Sequence, residues 1–166
     1  VKLLRAGLVL VLLASVLVAA TAASGRVGSP SACSLVRVAQ SRSILGYAIR
    51  AQQGETAEYC VMVNIPIKLD QNLTPVHPSV SFGIYADGSH ATHFVDQIRE
   101  ARKNPLSVAV RGLGPLATLT PRTGNGGFVI FAKIGVYVIS FDAGSAQKPI
   151  SQAQGIRLTR AIAARL

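Results

Sequence analysis

Asp87, His90 and His93 come nearest to metal chemistry in this chain. Histidines three apart share one face of a helix, and an aspartate just ahead of them adds a third oxygen or nitrogen donor. Zinc takes three or four ligands, however, and the remaining histidine, His77, falls in a separate loop. Helix capping by Asp87 and solvated roles for both histidines account for all three without an ion. Gly112, Gly114 and Ala117 match G-x-G-x-x-A after a strand, but a dinucleotide fingerprint needs a helix to open there. Pro115 and the Leu-Ala-Thr-Leu-Thr-Pro run oppose that helix, so the segment reads as a turn between strands. Ser145 sits in Ala-Gly-Ser-Ala without a nucleophile elbow. Glu55 and Glu58 have the spacing of a carboxylate pair, but they flank a turn and read as solvated surface. The expectation is a non-enzymatic domain with no cofactor and no metal; a secreted hydrolase using Ser145 or His93 is the alternative.

Cys33 and Cys60 are the two cysteines. Their meaning depends on compartment, and the start of the chain supplies one. Lys2 and Arg5 precede an apolar run from Ala6 to Ala20, followed by Thr21 and Ala22. A charged start, a short apolar stretch and small residues form a secretory signal, with cleavage expected after Ala22. The run holds about fifteen apolar residues where a spanning helix needs about twenty. Val1 in place of Met reads as a GTG start, which with the Ala, Arg, Val and Gly richness points to a GC-rich bacterium. An even cysteine count in an exported chain reads as one disulfide, Cys33–Cys60. It would leave Cys60 unable to act as a nucleophile. The other reading is lipidation of Cys33, which Ala32 fits and Pro30 does not.

Net charge is +10 over 166 residues. Without residues 1–22, fifteen basic and seven acidic side chains remain, a net +8. Such a balance favours anionic partners: acidic lipid, wall polymer or nucleic acid. The basic residues are scattered and aromatics make up 5% with no Trp, so the stacking platform of a single-strand binder is missing. No nucleic-acid partner is expected.

The elements that must position these residues follow from periodicity. Residues 1–22 are the expected signal, 23–32 a flexible leader and 33–166 a single domain. A helix is expected over 34–45, ended by Gly46 in the left-handed conformation. Strands are expected over 47–52 and 57–65, with a turn at 53–55, and over 79–85. Phe94, Val95, Ile98 and Ala101 mark a helix after Asp87-Gly88-Ser89 that ends at Asn104-Pro105. Strands follow over 106–111 and 116–120, then a hairpin of 128–133 and 136–142 with Ile134-Gly135 near its tip. Ser151 and Gln154 have capping-box spacing at the head of a helix to Leu166, with Ile156, Thr159, Ile162 and Ala163 on one side. That helix is basic and amphipathic, fit either to pack on its own sheet or to lie on an anionic membrane. Grouped strands joined by short turns predict an α+β domain: an antiparallel sheet with helices packed on one face, and a degenerate helix-then-strands duplication.

Ala32-Cys33-Ser34-Leu35-Val36, then Leu45-Gly46 and a second cysteine, Cys60, in a strand, form a pattern with a family likeness. So do Val110-Arg111-Gly112-Leu113-Gly114 with Ala117, the Phe128 to Phe141 hairpin and the Ala-rich closing helix. The chain resembles the secreted and lipoprotein domains of actinobacteria grouped as domain of unknown function 3558. The resemblance spans nearly all of Cys33 to Leu166 and departs from the family at Pro115-Leu116, where acidic or polar residues are usual. It implies an envelope-associated α+β domain, supports the Cys33–Cys60 bond and supplies no catalytic residue. The expected function is binding a partner or ligand at the bacterial cell envelope. The alternative is a basic structural or anchoring protein on anionic lipid or wall polymer.

Overall fold

The computed structural model describes residues 30–86, 89–122 and 126–166, with the first helical residues 89–92 as backbone only. The expected signal, most of the leader and Asp87 lie outside the described residues. Seven strands form: β1 (Ile49–Gln53), β2 (Tyr59–Asn64), β3 (Val80–Ala86), β4 (Val108–Ala109), β5 (Thr118–Pro121), β6 (Phe128–Ile134) and β7 (Tyr137–Ala143). A 3-10 turn (Ala32–Leu35) precedes three helices: α1 (Val38–Leu45), α2 (Ser89–Lys103) and α3 (Gln152–Ala163). The strands make one antiparallel sheet in the order β1-β2-β3-β7-β6-β5-β4. This is the α+β class that the grouping of strands predicts.

Side chains alternate across a strand, so each strand offers two faces. On one face Val80, Phe82 and Ile84 of β3 meet Phe141 and Ala143 of β7 and Phe128, Ile130 and Ala132 of β6. Leu35 of the 3-10 turn, Leu45 of α1 and Leu158 and Ile162 of α3 close over them. Burying each of these phenylalanines contributes about 2–3 kcal/mol. On the other face Val138 of β7 and Phe131 of β6 pack with Phe94, Val95 and Ile98 of α2. The helices therefore do not all share one face, as the sequence reading had it: α1 and α3 cover one side and α2 the other. Val138, Phe131 and Leu116 require this, because they are apolar and point away from the face that α3 covers.

The strand arrangement, taken without the helices, has the symmetry that a duplication would leave. The meanders β1-β2-β3 and β5-β6-β7 meet with β3 antiparallel to β7, as a two-fold normal to the sheet would place them. Such an axis keeps faces, whereas α1 and α2 lie on opposite ones.

At the start of the fold, the helix expected over 34–45 is broken. Val36 is extended (φ −85°, ψ 117°) between the 3-10 turn and α1, and Arg37 offers no side-chain cap. The Cys33–Cys60 disulfide, with a Cα–Cα distance of 5.0 Å, holds the turn on β2. Ala32, placed in the leader by sequence, is fully buried and its N–H donates to Ala57 O (2.7 Å), so the fold begins ahead of Cys33. Gly46 ends α1 with φ +81°, as expected. α3 opens on the Ser151–Gln154 capping box, and Gln154 Nε2 also donates to Ile44 O (3.0 Å), tying α3 to the end of α1.

Candidate functional site

α2 packs over β3, β5, β6 and β7 and leaves the same face of β1 and β2 bare. The result is an open groove of about 900 Å³. Val61 and Val63 of β2 form its floor, Gln52 and Gln53 of β1 one side, and the β1–β2 turn with Glu55 and Glu58 its rim. Beyond Val63 the surface continues past Arg50, which pairs with Val63, to Ile65 and Ile67, which are 41% and 67% exposed.

Two tyrosines wall the groove, and each rests on a glycine. A Cβ at Gly54 would lie 2.4 Å from Tyr59 Cδ1, and one at Gly83 would lie 2.4 Å from the Tyr85 hydroxyl. Only glycine lets these rings lie so close to backbone. Tyr85 is also stacked on Phe94 of α2, with centroids 4.2 Å apart. Its phenol pKa is raised above the ordinary value by burial, opposed by a hydrogen bond with Ser140, and raised again by the Glu58 charge. Glu58 is therefore close enough to Tyr85 for its field to act on the groove wall.

Past Tyr85 a second, smaller cleft reaches Asp142 of β7 and Arg122, which form an ion pair. Burial raises the Asp142 pKa above the usual carboxylate range, and the Arg122 charge pulls it back. At the far side of the sheet Tyr47 donates to Pro78 O (2.8 Å) and stacks on His77 at 4.5 Å. Burial pushes its phenol up to about 12.

The residues that the sequence singles out for chemistry fall in different parts of the fold, with Asp87 and the His90 side chain outside the described residues. His90 and His93 both lie on α2; His93 is exposed and bonded to Gln97 Nε2 (3.0 Å). No group of three or more potential metal ligands occurs among the described residues. Gly112 and Gly114 have φ +76° and +89° and belong to the β4–β5 turn, where Ala117 N–H donates to Gly114 O (3.3 Å). Ser145 follows β7, whose end lies beside Ser79 at the start of β3, while Phe94, next to His93, stacks on Tyr85 near the end of β3. The length of β3, about 20 Å, separates the two. His77, the histidine nearer Ser145, is engaged with Tyr47. Ser145 lines a smaller cleft with Asp70, Thr74 and Gln147, and His77 another with Tyr47 and Lys68, while Glu55 and Glu58 stand together at the rim of the larger groove.

Sequence reasoning missed Tyr59, Tyr85, Val61 and Val63. One signal was present: Tyr59, Val61, Val63, Ile65, Ile67 and Leu69 alternate with Cys60, Met62 and Asn64, so both faces of β2 are apolar at a position next to the sheet edge.

Fold and groove together define a disulfide-stapled α+β domain with one sheet face partly uncovered. Compared with protein-family models, curated proteins and solved structures, the chain matches none. A disulfide fits an oxidising, extracytoplasmic environment. No described helix is long and apolar enough to cross a membrane.

Proposed function

We propose that this chain is an exported, non-enzymatic binding domain of the bacterial cell envelope, and that its groove receives a ligand bearing a cationic group on an apolar stem. One observation carries the reading: the glycine-seated Tyr59 and Tyr85 flank a valine floor with Glu55 and Glu58 at its rim. Binding sites are commonly concavities of this size, mostly apolar, with a few polar groups that fix orientation. Carboxylates and aromatic faces both attract cations. They do so here within a strongly basic protein, so the groove is a local exception to the charge of the molecule. The secretory pattern of residues 1–22 and the disulfide support the exported location. The resemblance to the actinobacterial envelope family agrees with it.

Titration with hexyltrimethylammonium, followed by amide chemical shifts, tests the reading. Shifts are expected to concentrate on β2, the 54–58 turn and Tyr85. A Glu55→Gln/Glu58→Gln variant is expected to bind about fivefold more weakly, as loss of two exposed ionic contacts implies. Hexanesulfonate, with the opposite charge on the same stem, is expected to cause no such shifts. An equal response to both probes, or shifts elsewhere, would remove the groove from the function.

A further inference from the structure

The opposite side of the sheet carries charge of the other sign. Residues 30–45 and 151–166, which form the 3-10 turn, α1 and α3, hold Arg37, Arg42, Arg157, Arg160 and Arg165 and no Asp or Glu. α1 and α3 pack side by side, so the five arginines belong to one helical layer. The ion pairs among the described residues are Arg99–Asp96, Lys103–Glu100 and Arg122–Asp142, all outside that layer. Within it, arginines bond to uncharged oxygens: Arg42 to Ile49 O (3.3 Å), Arg165 to Leu35 O (2.8 Å) and Gln40, and Arg160 to Arg111 O. These bonds orient the guanidinium groups and leave their charge uncompensated. Arg37 and Arg165 are near enough that, after burial, the Arg37 charge further lowers the Arg165 pKa.

We infer that this arginine layer docks the domain on the headgroups of an anionic phospholipid membrane, leaving the groove on the far face of the sheet free for its ligand. Guanidinium groups match phosphate oxygens in geometry as well as charge. The apolar stripe of α3 is spent on the core, with Leu158 and Ile162 each 1% exposed, so α3 does not insert. The exposed large apolar side chains among the described residues (Tyr59, Ile65, Ile67, Leu69, Leu73, Leu106, Val108 and Val136) all lie outside the layer. What remains is an electrostatic contact between guanidinium groups and phosphates.

The test is co-sedimentation of the chain from residue 23, oxidised and folded, with vesicles of phosphatidylcholine alone or mixed equally with phosphatidylglycerol. Binding is expected on the mixed vesicles, absent on the neutral ones, and lost as salt shortens the screening length. Arg37→Gln/Arg157→Gln removes two guanidinium groups that make no hydrogen bond among the described residues, and is expected to lower the partition coefficient about thirtyfold. Arg99→Gln/Lys103→Gln removes the same charge from α2, on the other face, and is expected to change it far less. Glu55→Gln/Glu58→Gln is expected to leave vesicle binding intact, which separates this inference from the groove reading. No sedimentation with the mixed vesicles at low salt, equal loss from both cationic double variants, or binding to soluble polyphosphate without vesicle binding would each overturn it.

Discussion

Tyr47 has its hydroxyl bonded to Pro78 O and its ring stacked on His77, in a site that disfavours the phenolate. Its pKa, about 12 when folded, lies above the unfolded value of 10.0. The stability this contributes is fully present below pH 10 and is lost as pH rises through about 12, because the unfolded chain releases the proton first. Tyr47→Phe is expected to flatten the fall in stability above pH 10 and to remove the phenolate signal that titrates near pH 12 in an ultraviolet titration, leaving that of Tyr85. If that late signal persists in the variant, another tyrosine carries it. Sequence places Tyr47 at the head of a strand, but β1 begins at Ile49, and the tyrosine's partners Pro78 and His77 lie thirty or so positions on, across a loop without periodicity. Glu55 and Glu58 were legible as a pair but not as a site, since Tyr85 joins them only through the pairing of Tyr59 with Gly83.

At the scale of elements, α3 owes its close approach to one missing side chain. A Cβ on Gly155 would stand 2.4 Å from Phe128 Cε2 and 3.2 Å from Phe141 Cε1. Gly155→Ala gains about 1 kcal/mol of helix propensity but forces those rings apart, which costs about 1–3 kcal/mol. A net loss of stability is expected in urea denaturation; a gain would show that α3 has room to move. The capping box, Gly46 and the β6–β7 hairpin were readable because each is local: the partners lie within four residues or share one short turn. The face α2 occupies was not readable. Its own stripe of Phe94, Val95 and Ile98 specifies a helix to be buried without naming the side of the sheet.

At the scale of the molecule, one disulfide fastens the start of the fold to β2 and thereby holds the floor of the groove. Cys33 and Cys60 are separated by 27 positions, for which loop-closure entropy gives about 3.5 kcal/mol. Cys33→Ala/Cys60→Ala is expected to lose about that much unfolding free energy, matching the oxidised protein after reduction. An unchanged urea midpoint would show that the bond constrains nothing the fold does not already hold. Arginines lie without acidic partners over α1 and α3, and Glu55 and Glu58 stand at the rim of the groove on the other face.

The amino-acid sequence by itself determined the α+β class, the cysteine pair, the Gly46 and Ser151 helix ends and most strands, because periodicity, capping and turn chemistry act between near neighbours in the chain. It also determined the overall positive charge. Only the tertiary structure decided which face each helix covers, that β7 joins the two meanders by pairing with β3, and that Tyr59, Tyr85, Glu55 and Glu58 converge on Val61 and Val63. Those outcomes depend on cross-strand register and on which buried surfaces match in shape, and both are set when distant segments pack.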